Sequence, residues 1–137
     1  MISIRKVEPE VVRELCDRIL PFDDGSTTWE PDDEFWGAFD GPRLVGWGGL
    51  RQSRRWLDCV FLCSSGVLPE ARGHGLQKRL IKARVRWAKK QGYYYAFTYT
   101  VPHNPASSRS LISCGFKPYW PSKPWAGDVC YWHRPLF

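Results

Sequence analysis

The chain has 137 residues, 43% of them apolar and 25% charged, which fits one domain spanning residues 1–137 with a core of its own and argues against a disordered chain and a multidomain enzyme. Its apolar stretches are no longer than the five residues of Cys59–Cys63, against the roughly 18–20 that a bilayer crossing needs. The opening Met1-Ile2-Ser3-Ile4-Arg5-Lys6 lacks the apolar segment of a signal peptide, so a soluble, cytoplasmic protein without membrane contact is expected. The net charge of +6 is unevenly divided: residues 1–40 hold 4 Lys/Arg against 11 Asp/Glu, and the remainder holds 16 against 3. That division suits an anionic ligand on the second part and a cationic one near the first, although solubility alone explains it equally well. Five cysteines at irregular spacings, without a Cys-x-x-Cys pair, read as reduced core thiols, and no metal site is expected.

In chain order, residues 2–7 alternate as a strand, and Pro9 can open a helix with Val12, Leu15, Cys16 and Ile19 at helical spacing, ended by Pro21. Residues 23–34 form an acidic, turn-rich loop. Residues 35–39 and 44–50 form a hairpin across Asp40-Gly41-Pro42, its second strand weakened by Gly46, Gly48 and Gly49. A strand follows over residues 56–67, broken by a bulge at Ser64-Ser65-Gly66. After a loop at 69–75, Leu76, Leu80, Ala83 and Trp87 predict the buried stripe of a helix that Gly92 terminates, its other faces being almost wholly basic. Residues 93–101 are dense in aromatic and β-branched side chains and suit a central strand. Asn104 and Pro105 supply the cap and first residue of a short helix closed by Gly115, and the strand-like tail is broken by Pro118, Pro121 and Pro124. The strand–helix–strand order of residues 56–101 implies parallel strands joined by a right-handed crossover. The rest is hairpin-like, so the expected fold is α/β: a mixed sheet with helices on both faces, its glycine loop at a strand's carboxyl end, where open sheets bind ligands.

The chemistry concentrates at Val67-Leu68-Pro69-Glu70-Ala71-Arg72-Gly73-His74-Gly75-Leu76-Gln77, a strand end passing through spaced glycines into a helix N-terminus. Glycines allow close backbone approach, and the helix's first N–H groups with the dipole's positive end favour an anion by about 0.3–1 kcal/mol, up to about 2 if partly buried. The motif taken alone is also compatible with a tight turn and nothing more. Neither a dinucleotide fingerprint, which needs glycine at position 78, nor a phosphate loop ending in Gly-Lys-Ser/Thr is present.

Val67-x-Pro69-x-x-Arg72-Gly73-His74-Gly75-Leu76-Gln77 followed by Leu80 resembles motif A of the GNAT (Gcn5-related N-acetyltransferase) superfamily. Asn104-x-x-Ser107-x-x-x-Leu111-x-x-x-Gly115-Phe116 resembles its motif B, in the right order and separation, and Tyr131-Trp132 resembles the close of short phage and prophage members. The resemblance implies the GNAT fold, with acetyl-coenzyme A lying between splayed parallel strands. It implies that backbone at Val67 faces the pantetheine, that Arg72, Gly73, His74, Gly75, Leu76 and Gln77 cradle the pyrophosphate, and that Asn104 and Ser107 touch the cofactor arm. Gln77 stands where glycine or alanine is usual, and Leu111 where many relatives have a tyrosine acid. Losing that acid is survivable, because a thiol of pKa near 8.5 leaves tolerably as thiolate.

The implied activity is direct transfer of acetyl to a bound amine, whose deprotonation at pH 7 costs roughly 4.6 kcal/mol for a lysine-like group. Asp58 and the carboxylates Glu30, Asp32, Asp33 and Glu34 are candidate proton acceptors, Tyr119 and Tyr131 candidate acids, and Trp29, Trp36, Trp47, Trp120 and Trp125 candidate acceptor walls. His74 and His103 read as bystanders or minor phosphate contacts. The acceptor stays open among a small cation, a protein amine and a nucleic-acid base, and tail aromatics allow a homodimer. The alternative is a nucleic-acid- or protein-binding module that keeps the fold without transfer activity, using the basic helix for phosphate contacts.

Overall fold

A computed structural model describes residues 1–19 and 30–137. The proposed helix stop at Pro21, the acidic stretch at 23–29, Trp29, and the side chains of Cys16 and Ile19 lie outside the described residues. Among the described residues the elements follow in order: β1 (Ile2–Val7), α1 (Pro9–Ile19), β2 (Glu34–Asp40), β3 (Arg43–Gln52), β4 (Cys59–Phe61), β5 (Ser65–Val67), α2 (Leu76–Lys90), β6 (Tyr95–Thr100), α3 (Pro105–Ser113), β7 (Lys117–Tyr119) and β8 (Cys130–Pro135), with a 3-10 turn at Pro69–Ala71. The sheet order is β1-β2-β3-β4-β6-β8-β7, with β5 continuing β4 along β3. β4 and β6 form its parallel pair, and the other pairings are antiparallel, giving the mixed sheet expected.

Helices cover both faces. Strand alternation sends Trp36, Ala38, Leu50, Val60 and Ala96 toward α2 and α3, and sends Phe35 and Trp47 toward Val12 and Leu15 of α1. Each fully buried large apolar side chain contributes roughly 1.5–3 kcal/mol. The glycines of β3 make room for neighbours: a Cβ at Gly48 would lie 2.7 Å from Cζ of Arg84, and one at Gly49 2.8 Å from Sγ of Cys63.

Two expectations change. The strand read over 56–67 is two short strands, with its irregular residues at Leu62–Ser64 rather than 64–66, because the Leu62 N–H still donates to Phe97 while the Cys63 N–H turns to Gly49. In α2 the buried residues are Leu76, Leu80, Ile81, Arg84, Val85 and Ala88, whereas Ala83 and Trp87 are half-buried. The helix packs against β1, β2 and β3 as well as β5, so its covered face is wider than the stripe drawn. Gly92 (φ 90°) and Gly115 (φ 86°) close α2 and α3 in the left-handed region, as read.

Gly66 takes the opposite face of β5 from α2, where a Cβ would meet the Trp47 ring at 2.4 Å. Trp47 is fully buried and has no space to retreat. Gly66→Ala should therefore destabilise the fold by about 1–3 kcal/mol. Urea unfolding beside Gly127→Ala, whose Cβ meets nothing within 4 Å, checks this; equal midpoints for the two variants would contradict it.

Candidate functional site

The site begins where a strand pair ends. β4 and β6 are in register at Cys59/Tyr95, Val60/Ala96 and Phe61/Phe97, and the Leu62 N–H gives the last bond to Phe97. Beyond it β5 stays with β3 while β6 pairs with β8, and the two parallel strands part. The Ser64 carbonyl and Leu68 N–H both turn to β3. Two-residue alternation then directs the backbone of Ser65 and Val67 into the opening. The Arg72 Nε–H donating to the Val67 carbonyl from that side agrees, at 3.1 Å.

The opening leads into a cavity of about 850 Å³ lined by β5, the glycine loop, the first turns of α2, the end of β6, and α3. Gly73 (φ 82°) and Gly75 (φ 74°) adopt left-handed backbone that favours glycine, and nothing lies within 4 Å of where their Cβ atoms would be. Gly75 caps α2 without a side-chain hydrogen bond, and the first internal bond is Arg79 N–H to Gly75 O. The N–H groups of Leu76, Gln77 and Lys78 are thus free of helical partners, at the positive end of a 15-residue helix. Arg72, Lys78, His103 and Arg109 also line the cavity, and no carboxylate does among the described residues. The arrangement suits an anion, with a strand edge beside it that no neighbouring strand pairs.

Eight of the nine cofactor-side residues singled out in the sequence line this cavity: Val67, Arg72, Gly73, Gly75, Leu76, Gln77, Asn104 and Ser107. His74 is exposed and outside the lining. The Asn104 side-chain oxygen accepts the Ser107 N–H at 3.3 Å, so its cap consumes the oxygen and leaves the amide NH₂ for a ligand. Two buried polar atoms there lack partners, Ser64 Oγ and Gln77 Oε1, while the Gln77 amide donates to Ser65 Oγ at 2.9 Å. Unsatisfied buried atoms in a polar-lined cleft fit a long ligand carrying amide and phosphate groups.

The proposed acid and base residues lie elsewhere. Asp58 is exposed just before β4, four residues upstream of the last bond at Leu62, and its carboxylate accepts the Cys59 thiol. Burial, with Asp58 close by, pushes that thiol up to about 11. Asp33 is buried and held by both Nε and Nη2 of Arg51 at 2.7 and 2.8 Å. Glu34 pairs with Lys6 and Glu30 with Arg54 at the surface.

Tyr119 and Tyr131 stand on the sheet face opposite α2 and α3, within an aromatic cluster. The Tyr131 hydroxyl donates to the Ala126 carbonyl and accepts the Ala126 N–H at 3.0 Å. Burial raises Tyr119, partly offset by a hydrogen bond with the Trp125 side chain. Both tyrosines thereby hold Trp125, whose ring contacts Phe61, Phe97 and Tyr99 at centroid distances of 5.4–5.7 Å. Phe61 and Tyr99 also line the cavity, so the aromatic face reaches the parted strands. Sequence reading missed both residues; the period-2 pattern Tyr95, Phe97, Tyr99 was the available signal. Arg84 lies outside the stripe drawn for α2, among faces read only as basic, yet it is 2% exposed and lines the cavity. Of the tryptophans named as acceptor walls, Trp36 and Trp47 are core residues, and Trp120 is exposed on the tail.

The acetyltransferase (GNAT) family model matches residues 3–116. The chain belongs to the GNAT acetyltransferase family. Solved structures agree in fold. An N-acetyltransferase from Staphylococcus aureus Mu50 matches with TM-score 0.80 at 16% identity, covering 100% of this chain and 99% of that one. The yncA protein of Salmonella typhimurium, solved with its cofactor acetyl-CoA, matches with TM-score 0.79 at 15% identity over 100% and 95%. A phosphinothricin acetyltransferase from Sinorhizobium meliloti, in complex with acetyl-CoA, gives TM-score 0.76 at 19% identity over 98% and 88%. No curated protein matches the sequence.

The Tyr131 clamp gives a direct test of its role. Tyr131→Phe should cost about 1–3 kcal/mol by stranding the Ala126 backbone groups and should speed proteolysis within residues 120–129. Denaturant unfolding and limited proteolysis read both, and an unchanged midpoint with unchanged cleavage would contradict the clamp.

Proposed function

We propose that this GNAT protein is an N-acetyltransferase that binds acetyl-CoA in the cleft between β5 and β6 and passes the acetyl group directly to an amine. The observation carrying this reading is the continuity of one cavity from the uncapped N-terminus of α2, past the free edge of Ser65 and Val67, to the parted strands. An anion, an amide-bearing arm and a reacting group need those three environments in that order. Leu76, Gln77 and Lys78 would hold the pyrophosphate through backbone N–H groups, and Arg72 and Lys78 would add charge. Ser65 and Val67 would pair with the pantetheine amides as an added strand, with the free Ser64 Oγ, Gln77 Oε1 and Asn104 amide nearby.

When bound, acetyl-CoA supplies an activated acetyl group as a thioester. The protein's part is to hold it at the parting and bring an amine to it from the aromatic face. Phe61, Tyr99 and Trp125 offer apolar walls for the amine's body and ring faces for an ammonium awaiting deprotonation. Direct attack needs no covalent enzyme intermediate, and none of the lining side chains is arranged as a nucleophile with its base. The free thiols Cys59, Cys63, Cys114 and Cys130 suit a cytoplasmic setting.

A second reading has its own observation. Lys82, Arg86, Lys89 and Lys90 are exposed along α2 and form no ion pair among the described residues, a surface that suits phosphates of a nucleic acid.

Calorimetric titration with acetyl-CoA, beside a duplex oligonucleotide at two salt concentrations, separates the two. Micromolar acetyl-CoA binding is expected. Gly75→Asp, which sets a carboxylate and a Cβ into the phosphate position, should weaken it at least about 100-fold. Asn104→Ala should weaken it modestly and cost about 1 kcal/mol of stability through the lost cap. Salt-sensitive oligonucleotide binding without any acetyl-CoA heat would overturn the transferase reading.

A further inference from the structure

Arg84 is a cation on the covered, otherwise apolar face of α2. Its companions on the covered face of α2, namely Leu76, Leu80, Ile81, Val85 and Ala88, are apolar, and an apolar side chain would fill the same space. Instead the guanidinium is 2% exposed, and no carboxylate lies within ion-pair distance of it among the described residues. Burying an unpaired charge is costly, so a position like this calls for an anion that arrives later.

The geometry says where. The Arg84 Nε–H donates to Leu80 O at 3.1 Å and Nη1 donates to Gly49 O at 2.9 Å, which leaves the Nη2 hydrogens without an acceptor among the described residues. Gly49 O is the carbonyl that the Cys63 N–H also meets, so the guanidinium sits beside the residue at which the strand leaves β6. The missing Cβ of Gly48 gives it room against the sheet. The free phosphate-binding N–H groups begin at Leu76, a full turn beyond Leu80, so this cation belongs to the opposite end of the cavity from the glycine loop.

The second anion follows from the proposed chemistry, and the inference rests on that reading. The amine nitrogen's lone pair forms the C–N bond to the acetyl carbon, the C–S bond breaks, and its electron pair stays on sulfur. The nitrogen's proton goes to water. Leu111, which lines the cavity from α3, has no proton to give, and no carboxylic acid lines the cavity among the described residues. We propose that Arg84 stabilises the departing coenzyme A sulfur as a thiolate, holding it by charge rather than protonating it.

The surrounding groups leave that charge available. Cys63 faces Arg84 from the β4–β5 segment and Cys114 from α3, and Lys78, Lys82 and Arg134 surround Cys114 from α2 and β8. Burial pushes Cys63 up to about 11 and raises Cys114 as well, so both thiols are neutral at pH 7. Burial pushes Arg84 down to about 10, and it remains a cation at pH 7.

The test needs no acceptor. Coenzyme A bound to the full chain is titrated by its far-ultraviolet thiolate absorbance, and the same titration with desulfo-coenzyme A subtracts the protein's own thiols. The bound thiol should titrate about one unit or more below the ordinary 8.5. In Arg84→Met it should return to 8.5 or above, and in Arg84→Lys, which keeps the charge should the Met variant not fold, most of the shift should persist. A wild-type thiol at or above 8.5, an equal shift in folded Arg84→Met, or loss of the shift in Arg84→Lys would each overturn the proposal. So would loss of the shift in Tyr99→Phe with Arg84→Met unaffected, because the phenol would then be the stabilising group. Absence of binding by both coenzyme A and desulfo-coenzyme A would instead overturn the acetyl-CoA reading beneath it.

Discussion

The parting of β5 from β6 is the feature on which the rest of the molecule depends. A sheet normally satisfies its backbone by pairing on both sides, and buried N–H and C=O groups left unpaired are costly. Here the pairing is given up on one side for three residues. The fold contains the loss locally: the Thr98 hydroxyl donates to Leu62 O at 2.8 Å, Gly49 bonds Cys63 and Ser64 from the other side, and Arg72 reaches Val67 O. What is left over is the inward backbone of Ser65, the Val67 N–H, Ser64 Oγ and Gln77 Oε1. Stability is given up where a ligand can restore it.

The two faces of the sheet divide the labour around that opening. On one, α2 and α3 bring the glycine loop, the Asn104 cap and Arg84 to the cavity. On the other, beyond α1, the covering of β6 and β8 is aromatic: Tyr99 and Phe97 under Trp125, and His133 against Tyr95 and Tyr119. Trp125 stays in place on a proline- and glycine-containing segment because Tyr131 and Tyr119 hold it there. The tyrosines that sequence alone suggested as acids contact, in the structure, the Trp125 ring that faces the parting.

Motifs carried by local backbone chemistry were legible in the sequence. Gly73 and Gly75 need left-handed φ, Asn104 caps α3, and Gly92 and Gly115 terminate helices; each is decided by residues within a few positions, so spacing exposes it. The order of elements and the parallel pair also followed from short-range patterns. The surroundings of Asp58, Tyr119 and Arg84 were not legible, for the opposite reason. Which end of a strand meets the cleft, which sheet face a tail strand presents, and whether one arginine in a basic helix turns inward are set by pairing across 30 or more residues. Gly48, read as a weakness in its strand, is the long-range partner that admits Arg84.

Hydrogen–deuterium exchange of the full chain with and without acetyl-CoA tests the central claim most directly, because the account assigns the ligand to particular backbone amides. Protection should appear at Ser65 and Val67 on the free strand edge and at Leu76, Gln77 and Lys78 at the start of α2, with the amides of β1 and β2 unchanged. Protection confined to the outer face of α2, or to the aromatic tail without Ser65 and Val67, would contradict the cleft between the parted strands as the acetyl-CoA site.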